Sequence, residues 1–292
     1  MKNTYLDNIR PSQISIVIPV KDNQLGIDKL LSTFFLTQQV KNYPLEIIIV
    51  DNNSSISTFV QDQFNGFEVK IHLLHCSKLG PAAARNVGAN FASGEWLLFV
   101  DSDCIPTESM IEGYLCEENT AIAFQGCIGA LGSDYVSKYY ESQQIHRPPS
   151  IQDENGNIIP KYLVTANIMV KKSAFESIGG FNESYSFAGE DIDFGSRLSS
   201  GGNLAYAPES KVLHNFDDGF WGLVIRFIKY GKGNRLVQKK LKIPLYPLPF
   251  TAKNKRVWVN HLLAIVQWLC LLLGFTLKSI KLLTDKTPRK ET

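Results

Sequence analysis

The groups in this chain best suited to chemistry are two carboxylates at the end of an apolar run. Leu97-Leu98-Phe99-Val100 has the pattern of a strand covered on both faces, and Asp101 and Asp103 follow at i and i+2. In extended backbone those side chains point the same way. Two acids aimed together repel unless a cation lies between them. A divalent metal carrying a phosphate ligand fits, since Mg²⁺ takes one or two protein carboxylates and leaves the rest of its shell to phosphate and water. The competing reading is an acidic turn in which Asp103 caps the next helix.

The elements that must position these acids alternate. Strands are predicted over residues 14–20, stopped by Pro19, and over 45–50 and 69–75, before the Asp101/Asp103 strand. Helices are predicted over 25–39, a short 57–64, and 81–92, the last with Pro81 in its first turn and Gly94 closing it. Such βαβ units make a mostly parallel sheet, in which ligands bind beyond the carboxyl ends of the strands. Val20-Lys21-Asp22, Asp51-Asn52-Asn53 and Asp101-Ser102-Asp103 then share one rim. The second half is less regular. A helix is predicted over 107–118, a strand over 121–130 broken by Gly126 and Gly129, and a loop-rich stretch over 135–160 marked by Pro148-Pro149 and Asn155-Gly156-Asn157. A strand over 165–170, a helix over 172–178, and short strands over 203–207 and 212–214 follow. Between them, the segment from Phe187 to Leu198 starts a helix with Glu190, Asp191 and Asp193 in its first turn, where the helix dipole favours acids and lowers their pKa.

Composition sets wide bounds. The chain has 292 residues, 44% hydrophobic and 20% charged, which is ordinary for a globular protein with a full core. A net charge of +2 gives no reason to expect a nucleic-acid partner, but Lys and Arg gather in the last quarter. Five cysteines form no CxxC pair and no zinc spacing, which suggests reduced thiols in the cytoplasm. The polar stretch 1–13 has no apolar core of a signal peptide.

The motif order resembles the family 2 glycosyltransferases. It runs from the strand ending at Pro19 through Val50-Asp51-Asn52-Asn53-Ser54, Gly80-Pro81-Ala82-Ala83-Ala84-Arg85-Asn86 and Phe99-Val100-Asp101-Ser102-Asp103. Gly179-Gly180-Phe181, Gly189-Glu190-Asp191-Ile192-Asp193-Phe194 and His214 complete it. Each motif is short; their order and spacing carry the likeness, over residues 12–215. The resemblance implies an α/β GT-A fold: a mostly parallel, Rossmann-like sheet with helices on both faces. Residues 12–104 would form a nucleotide-sugar half and 105–215 an acceptor half, with a helical region over 216–292. It also implies roles. Pro19, Asp51, Asn53, Arg85, Asp101 and Ser102 would bind the donor, Asp51 at the base and Arg85 near the diphosphate. Asp101, Asp103 and His214 would hold Mg²⁺ or Mn²⁺. Asp191 would be the catalytic base, with Glu190 its rival. The implied reaction is inverting transfer from a nucleotide sugar, a UDP-sugar first, to a hydroxyl of a glycan or lipid-linked acceptor in cell-surface polysaccharide or glycolipid synthesis. Asn52 departs from relatives that carry a second Asp there, and the 135–160 loop, with Lys138, Glu141, Gln143, Gln144, His146 and Arg147, matches no family motif.

Residues 219–229 read as an amphipathic helix, and Tyr230-Gly231-Lys232-Gly233 looks like a family segment lying over the donor phosphates or the acceptor. Residues 257–277 are the most apolar stretch, flanked by Lys253, Lys255 and Arg256 and by Lys278, Lys281, Lys286, Arg289 and Lys290. Basic residues on both sides favour a helix lying in the inner face of the cell membrane. A true span, or a helix packed on the domain, are the other readings. Two other functions are open to the chain. A sugar nucleotidyltransferase needs a Gly-rich phosphate loop after the first strand, which Val20-Lys21-Asp22-Asn23 does not provide; an inactive nucleotide-sugar-binding protein would not need Asp101, Asp103 and Asp191 all in place.

Overall fold

The computed structural model describes residues 9–117, 121–154, 156, 158–185, 188–216 and 218–284. Glu118, Asn155, Asn157, Phe187, Lys286, Arg289 and Lys290 of the sequence reading lie outside the described residues. The first half runs β1 (Ile14–Val20), α1 (Gln24–Thr37), β2 (Glu46–Asp51), β3 (Lys70–His75), α2 (Pro81–Phe91), β4 (Trp96–Val100), β5 (Cys104–Pro106) and α3 (Ser109–Leu115). The second runs β6 (Ala123–Leu131), α4 (Tyr135–Gln143), β7 (Ser150–Gln152), β8 (Ile158–Pro160), β9 (Asn167–Lys171), α5 (Lys172–Ser177), α6 (Glu190–Leu198), β10 (Leu204–Asn215), α7 (Gly219–Leu241) and α8 (Trp258–Thr284).

Eight strands form one sheet in the order β3-β2-β1-β4-β9-β6-β10-β5, and β7 and β8 form a hairpin. The β3-β2-β1-β4 block is parallel, as is the β6–β10 pair; β9 runs antiparallel to β4 and β6, and β5 to β10. This is a mixed α/β sheet with helices on both faces. Ile27, Leu30, Leu31 and Phe34 of α1 recur at helical spacing and share one core with Met110, Ile111 and Tyr114 of α3. On the other face, the alanines of α2 pack with Phe175, Phe194 and Leu198 of α5 and α6. A Cβ at Gly88 would lie 2.4 Å from Val17 Cγ1, so α2 reaches this close to β1 only because position 88 is glycine.

Several expectations need correcting. Pro19 does not stop β1. The carbonyls of Ile14 and Val20 accept from Leu45 and Asn52 on the β2 side, so Pro19 turns its nitrogen toward β4, beyond the last β1–β4 pair, Val17↔Phe99. The predicted helix over 57–64 is a single 3-10 turn, Asp62–Phe64. Gly126 does not break β6; a Cβ there would lie 2.2 Å from Asn167 Nδ2. The 135–160 stretch holds α4, capped by Asp134 accepting from Val136 and Ser137, and the β7–β8 hairpin. The two strands predicted over 203–214 are one, β10, with an irregularity between Ala207 and Lys211 around Pro208. The helix over 219–229 continues to Leu241, straight through Tyr230-Gly231-Lys232-Gly233.

The apolar C-terminal stretch forms α8, long and apolar enough to cross a membrane, with 28% of its most apolar window buried. One face packs on the domain through Asn260, Leu263, Ala264, Gln267, Cys270 and Gly274. The crossing with α7 is close: a Cβ at Gly231 would lie 2.2 Å from the Leu271 carbonyl, and one at Gly274 2.1 Å from that of Ile228. The opposite face leaves Trp258, Leu262, Ile265, Leu269, Leu273, Ile280 and Leu283 exposed at helical spacing.

Candidate active site

A cleft of about 560 Å³ opens beyond the carboxyl ends of β1, β2 and β4. Pro19, Arg85, Asp101, Ser102, Asp103, Glu190, Asp191 and His214 all line it. Asp51 and Asn53 are not among its lining residues. The Asp51 carboxylate accepts from the amides of Ser54 at 2.8 Å and Thr58 at 2.7 Å, fixing the loop after β2. Burial pushes that carboxyl up, but the amide hydrogen bonds outweigh it and leave it below its ordinary value. Asn53 sits at φ 59°, its carbonyl accepting from Lys21 Nζ at 2.9 Å. Asn52 staples the loop ahead of α2: Nδ2 donates to the Lys78 carbonyl at 2.7 Å, and Oδ1 accepts from Gly80 at 2.8 Å. An aspartate could not make the first of these bonds, which is a physical reason for asparagine here.

The two acids of the β4 end do not stay on one extended face. The amide of Cys104 donates to the Asp101 carbonyl at 3.0 Å, so residues 101–104 form a turn. Asp101 Oδ1 meets Arg85 at 2.7 Å, while Asp103 Oδ1 lies 3.4 Å from His214 Nε2. Arg85 is 3% exposed and also contacts Glu190 at 3.1 Å. Burial opposes the guanidinium's charge, but Asp101 and Glu190 hold it firmly protonated. Its Nε and Glu190 Oε2 are buried without hydrogen-bond partners among the described residues.

Asp103 has 42% of its side chain open to the cleft, yet desolvation raises its carboxyl; His214 pulls it down and Asp101 pushes it up. Four carboxylates, Asp101, Asp103, Glu190 and Asp191, thus share a cleft whose acidic cluster is bridged by one guanidinium. That surplus of negative charge suits a divalent cation. His214 Nδ1 lies 3.0 Å from the Asn215 carbonyl, which can only accept, so Nε2 is the free lone pair on the Asp103 side. Cys104 Sγ is within 4.8 Å of the Asp103 and His214 ligand atoms. Burial, with the nearby Asp103 and Asp101, keeps that thiol protonated well above its ordinary value, so it is a poor ligand. A carboxylate and imidazole set fits Mn²⁺ or Mg²⁺.

The facing wall comes from α6, α7, α8 and the segment before β9. Gly189 caps α6 at φ 95°, where an added Cβ would lie 2.8 Å from Val237 of α7. This turn delivers Glu190 and Asp191 to the cleft. Desolvation raises the Asp191 carboxyl to about 7, reinforced by Glu190 and opposed by the Ile192 amide and Arg85. The sequence reading had the helix dipole lowering it; burial beside another carboxylate overrides the dipole. Among the described residues Asp191 forms no ion pair, whereas Glu190 is held by Arg85.

Tyr162, Asn234 and Gln267 also line the cleft, and the sequence alone does not single them out for it. Tyr162 is pushed up to about 12 by burial and by Asp191. Tyr230, from the segment expected over the donor phosphates or the acceptor, lies on α7 and lines the cleft, and Gln267 accepts from Tyr139 on α4. A signal for Gln267 was present, since it interrupts an otherwise apolar stretch. Arg226 of α7 pairs with Asp218 and donates to Tyr140.

Comparisons with known proteins agree with this geometry. The sequence model described as glycosyl transferase family 2 matches residues 15–179, more than half of the chain. The pre-mycofactocin glycosyltransferase of Mycobacterium tuberculosis is 28% identical over 228 residues, 75% of this chain but 46% of its own length. The chain therefore spans less than half of that relative. Among solved structures, the mannosyltransferase PcManGT from Pyrobaculum calidifontis, in complex with GDP-Man and Mn²⁺, has a TM-score of 0.56 at 15% identity, covering 96% of this chain and 77% of its own. S. aureus TarS 1-349 in complex with UDP has a TM-score of 0.55 at 15% identity, covering 96% and 94%. With the motif order, the GT-A-like sheet and the acid-lined cleft in agreement, the chain belongs to glycosyl transferase family 2.

Proposed function

We propose that this protein moves a sugar from a nucleoside-diphosphate sugar, a UDP-sugar first among them, to an acceptor hydroxyl with inversion at the anomeric carbon. The observation that carries this reading is the division of labour across the cleft. Arg85, Asp101, Asp103 and His214 gather on one side; Asp191, with no ion pair among the described residues and its carboxyl near 7, stands on the other. The solved neighbours bound to UDP and to GDP-Man with Mn²⁺ support a nucleotide donor and a divalent ion.

The bond that breaks joins the anomeric carbon to a diphosphate oxygen, and the bond that forms joins that carbon to the acceptor oxygen. Asp191 takes the acceptor's proton as its oxygen attacks from the face opposite the leaving group. One such displacement inverts the anomeric centre, through an oxocarbenium-like state. Asp103 and His214, with Asp101 beside them, would hold the divalent ion, which when bound neutralises charge on the departing diphosphate. Arg85 adds a fixed positive charge to that side, and Glu190 keeps Arg85 oriented. Asn52 and Asp51 fix the two loops against which the nucleotide lies. In Asp191→Asn, turnover is lost while isothermal titration still detects donor binding; loss of binding as well would remove Asp191 from the base role.

The exposed face of α8 supports work at a membrane surface. Trp221 and Ile225 on α7 are exposed as well, and Lys255, Arg256 and Lys281 flank the apolar stripe in sequence. Such a helix lies in the interface, its cations attracted to anionic lipid. The full chain co-sediments with anionic phospholipid vesicles, and Leu269→Glu/Leu273→Glu abolishes this without loss of donor binding. Equal sedimentation of the double variant would refute the surface role of α8.

A further inference from the structure

A second cavity of about 490 Å³ lies beside the cleft, and Ile145 and His146 line both. Its floor is β6 and β10, where Gly126 and Gly129 present no side chains. Its walls are mainly apolar and aromatic, with Ile128, Tyr140, Pro148, Ile158, Tyr206 and Phe216, while Gln125, Glu141, Gln144 and Arg147 add polar groups. At its mouth the Arg147 guanidinium lies over the Tyr206 ring, 5.8 Å from its centroid, while Tyr206 donates to the Pro148 carbonyl at 2.8 Å. The left-handed Gln144, at φ 52°, ends α4 and swings the chain across the neck between the cavities.

His146 stands in that neck. Its ring packs edge-on against His214 and Phe216, at 4.7 and 5.1 Å between centroids. Both ring nitrogens are buried with no hydrogen-bond partner among the described residues. A buried imidazole with neither nitrogen satisfied is costly to maintain, so a polar ligand atom at this point would recover the loss. A chamber lined mainly with rings and aliphatic groups, joined to a polar cleft by one unsatisfied imidazole, matches a molecule polar at one end and apolar at the other.

We propose that this chamber binds the apolar aglycone of the acceptor, an aromatic or short alkyl group, while His146 hydrogen-bonds the acceptor's polar part at the neck. The proposal rests on the glycosyl-transfer reading and assigns its acceptor a chemical class. The aglycone is held by ring faces and dispersion, and the acceptor's polar part, which carries the hydroxyl, reaches from the neck toward Asp191. His146 is a positioning residue in this account.

Cys127 offers a readout that needs no turnover. It lines the chamber and is exposed, and with Cys116→Ser the remaining described cysteines, Cys76, Cys104 and Cys270, are buried. Alkylation of Cys127 by iodoacetamide in this full-length variant is followed by peptide mass spectrometry. The probes are phenyl β-glycosides of glucose, galactose, mannose and N-acetylglucosamine, the parent sugars, and UDP with Mn²⁺. At least one phenyl glycoside slows alkylation about tenfold at ten times its Kd, by occupancy alone. The parent sugars and UDP leave the rate unchanged. Equal rates with every probe would overturn the proposal, even if UDP binding shows the donor site intact. Failure of the donor to bind would instead strike the glycosyl-transfer reading.

Two variants sharpen the test in the transfer assay. Ala205→Phe fills the chamber and raises the KM of the phenyl glycoside about tenfold without changing that of the donor. His146→Phe keeps the ring packing and removes both nitrogens, raising the acceptor KM about tenfold at constant donor KM. Donor and acceptor KM rising together would mark His146 as merely structural and overturn its assignment.

Discussion

The two walls of the cleft are built by different means. On the strand-end side, Pro19, Lys21, Asn52, Gly80 and the Asp101–Asp103 turn each sit within a few residues of a strand or helix end. The parallel sheet fixes their positions, and short hydrogen bonds such as Asn52 to Lys78 trim the loops. On the facing side, Tyr162, Asp191, Tyr230 and Gln267 come from separate segments spread over positions 162 to 267. Helix packing, not strand pairing, brings them together. A wall made by strand ends needs little beyond the local pattern to exist. A wall made by packed helices depends on glycines such as Gly189, Gly231 and Gly274, whose missing side chains let the helices meet.

The largest effect expected is on the chemistry of the helical wall. Asp191→Asn lowers turnover by about 10²–10⁴-fold, the usual span of general-base catalysis, with donor affinity nearly unchanged. On the strand-end wall, Asp103→Ala or EDTA lowers turnover by about 10²-fold or more, and Mn²⁺ restores the EDTA-treated wild type but not the variant. Full activity in EDTA would remove the ion from that wall.

A smaller effect comes with pH. The Asp191 carboxyl is raised to about 7, and a base works only when ionised, so the rate falls as pH drops through about 7, approaching about tenfold per unit below it. Glu190 contributes to that upward shift, so Glu190→Gln moves the midpoint of the kcat–pH profile to lower pH. A midpoint that stays put would show that Glu190 acts only through Arg85.

The smallest change tests the packing contrast directly. Gly231→Leu forces a side chain against the Leu271 carbonyl, costing about 1–3 kcal/mol and lowering the thermal midpoint. Acceptor transfer suffers while donor binding persists. Equal damage to both would mean that the walls are not independent.

The same contrast explains what was legible in the sequence. The apolar runs of β1, β2 and β4 and the alanines of α2 made the parallel half of the sheet legible, and the motif order pointed to Arg85, Asp101, Asp103, Asp191 and His214, all of which line the cleft. Pro19 looked like a strand end because the side on which its nitrogen faces depends on pairing that no single strand reveals. The Asp101–Asp103 spacing suggested a shared face; the turn closed by Cys104 gave the two acids different partners. Helix α4 was hidden by a tyrosine- and serine-rich composition of modest helix propensity, although Asp134 stood as its cap. Its stability comes from Tyr139 and Tyr140, buried against α7 and α8, contacts between residues far apart in the chain. The rise in the Asp191 pKa was equally hidden, because desolvation is a property of the assembled cleft.

Helix α8 carries Gln267 and Leu271 into the cleft on one side and an apolar stripe outward on the other. A laboratory wanting a detergent-free preparation therefore cannot cut the chain before this helix without removing part of the cleft wall. The workable route is to recolour the outer stripe, with Leu262, Ile265, Leu269 and Leu273 changed to charged residues and the inward face left as it is.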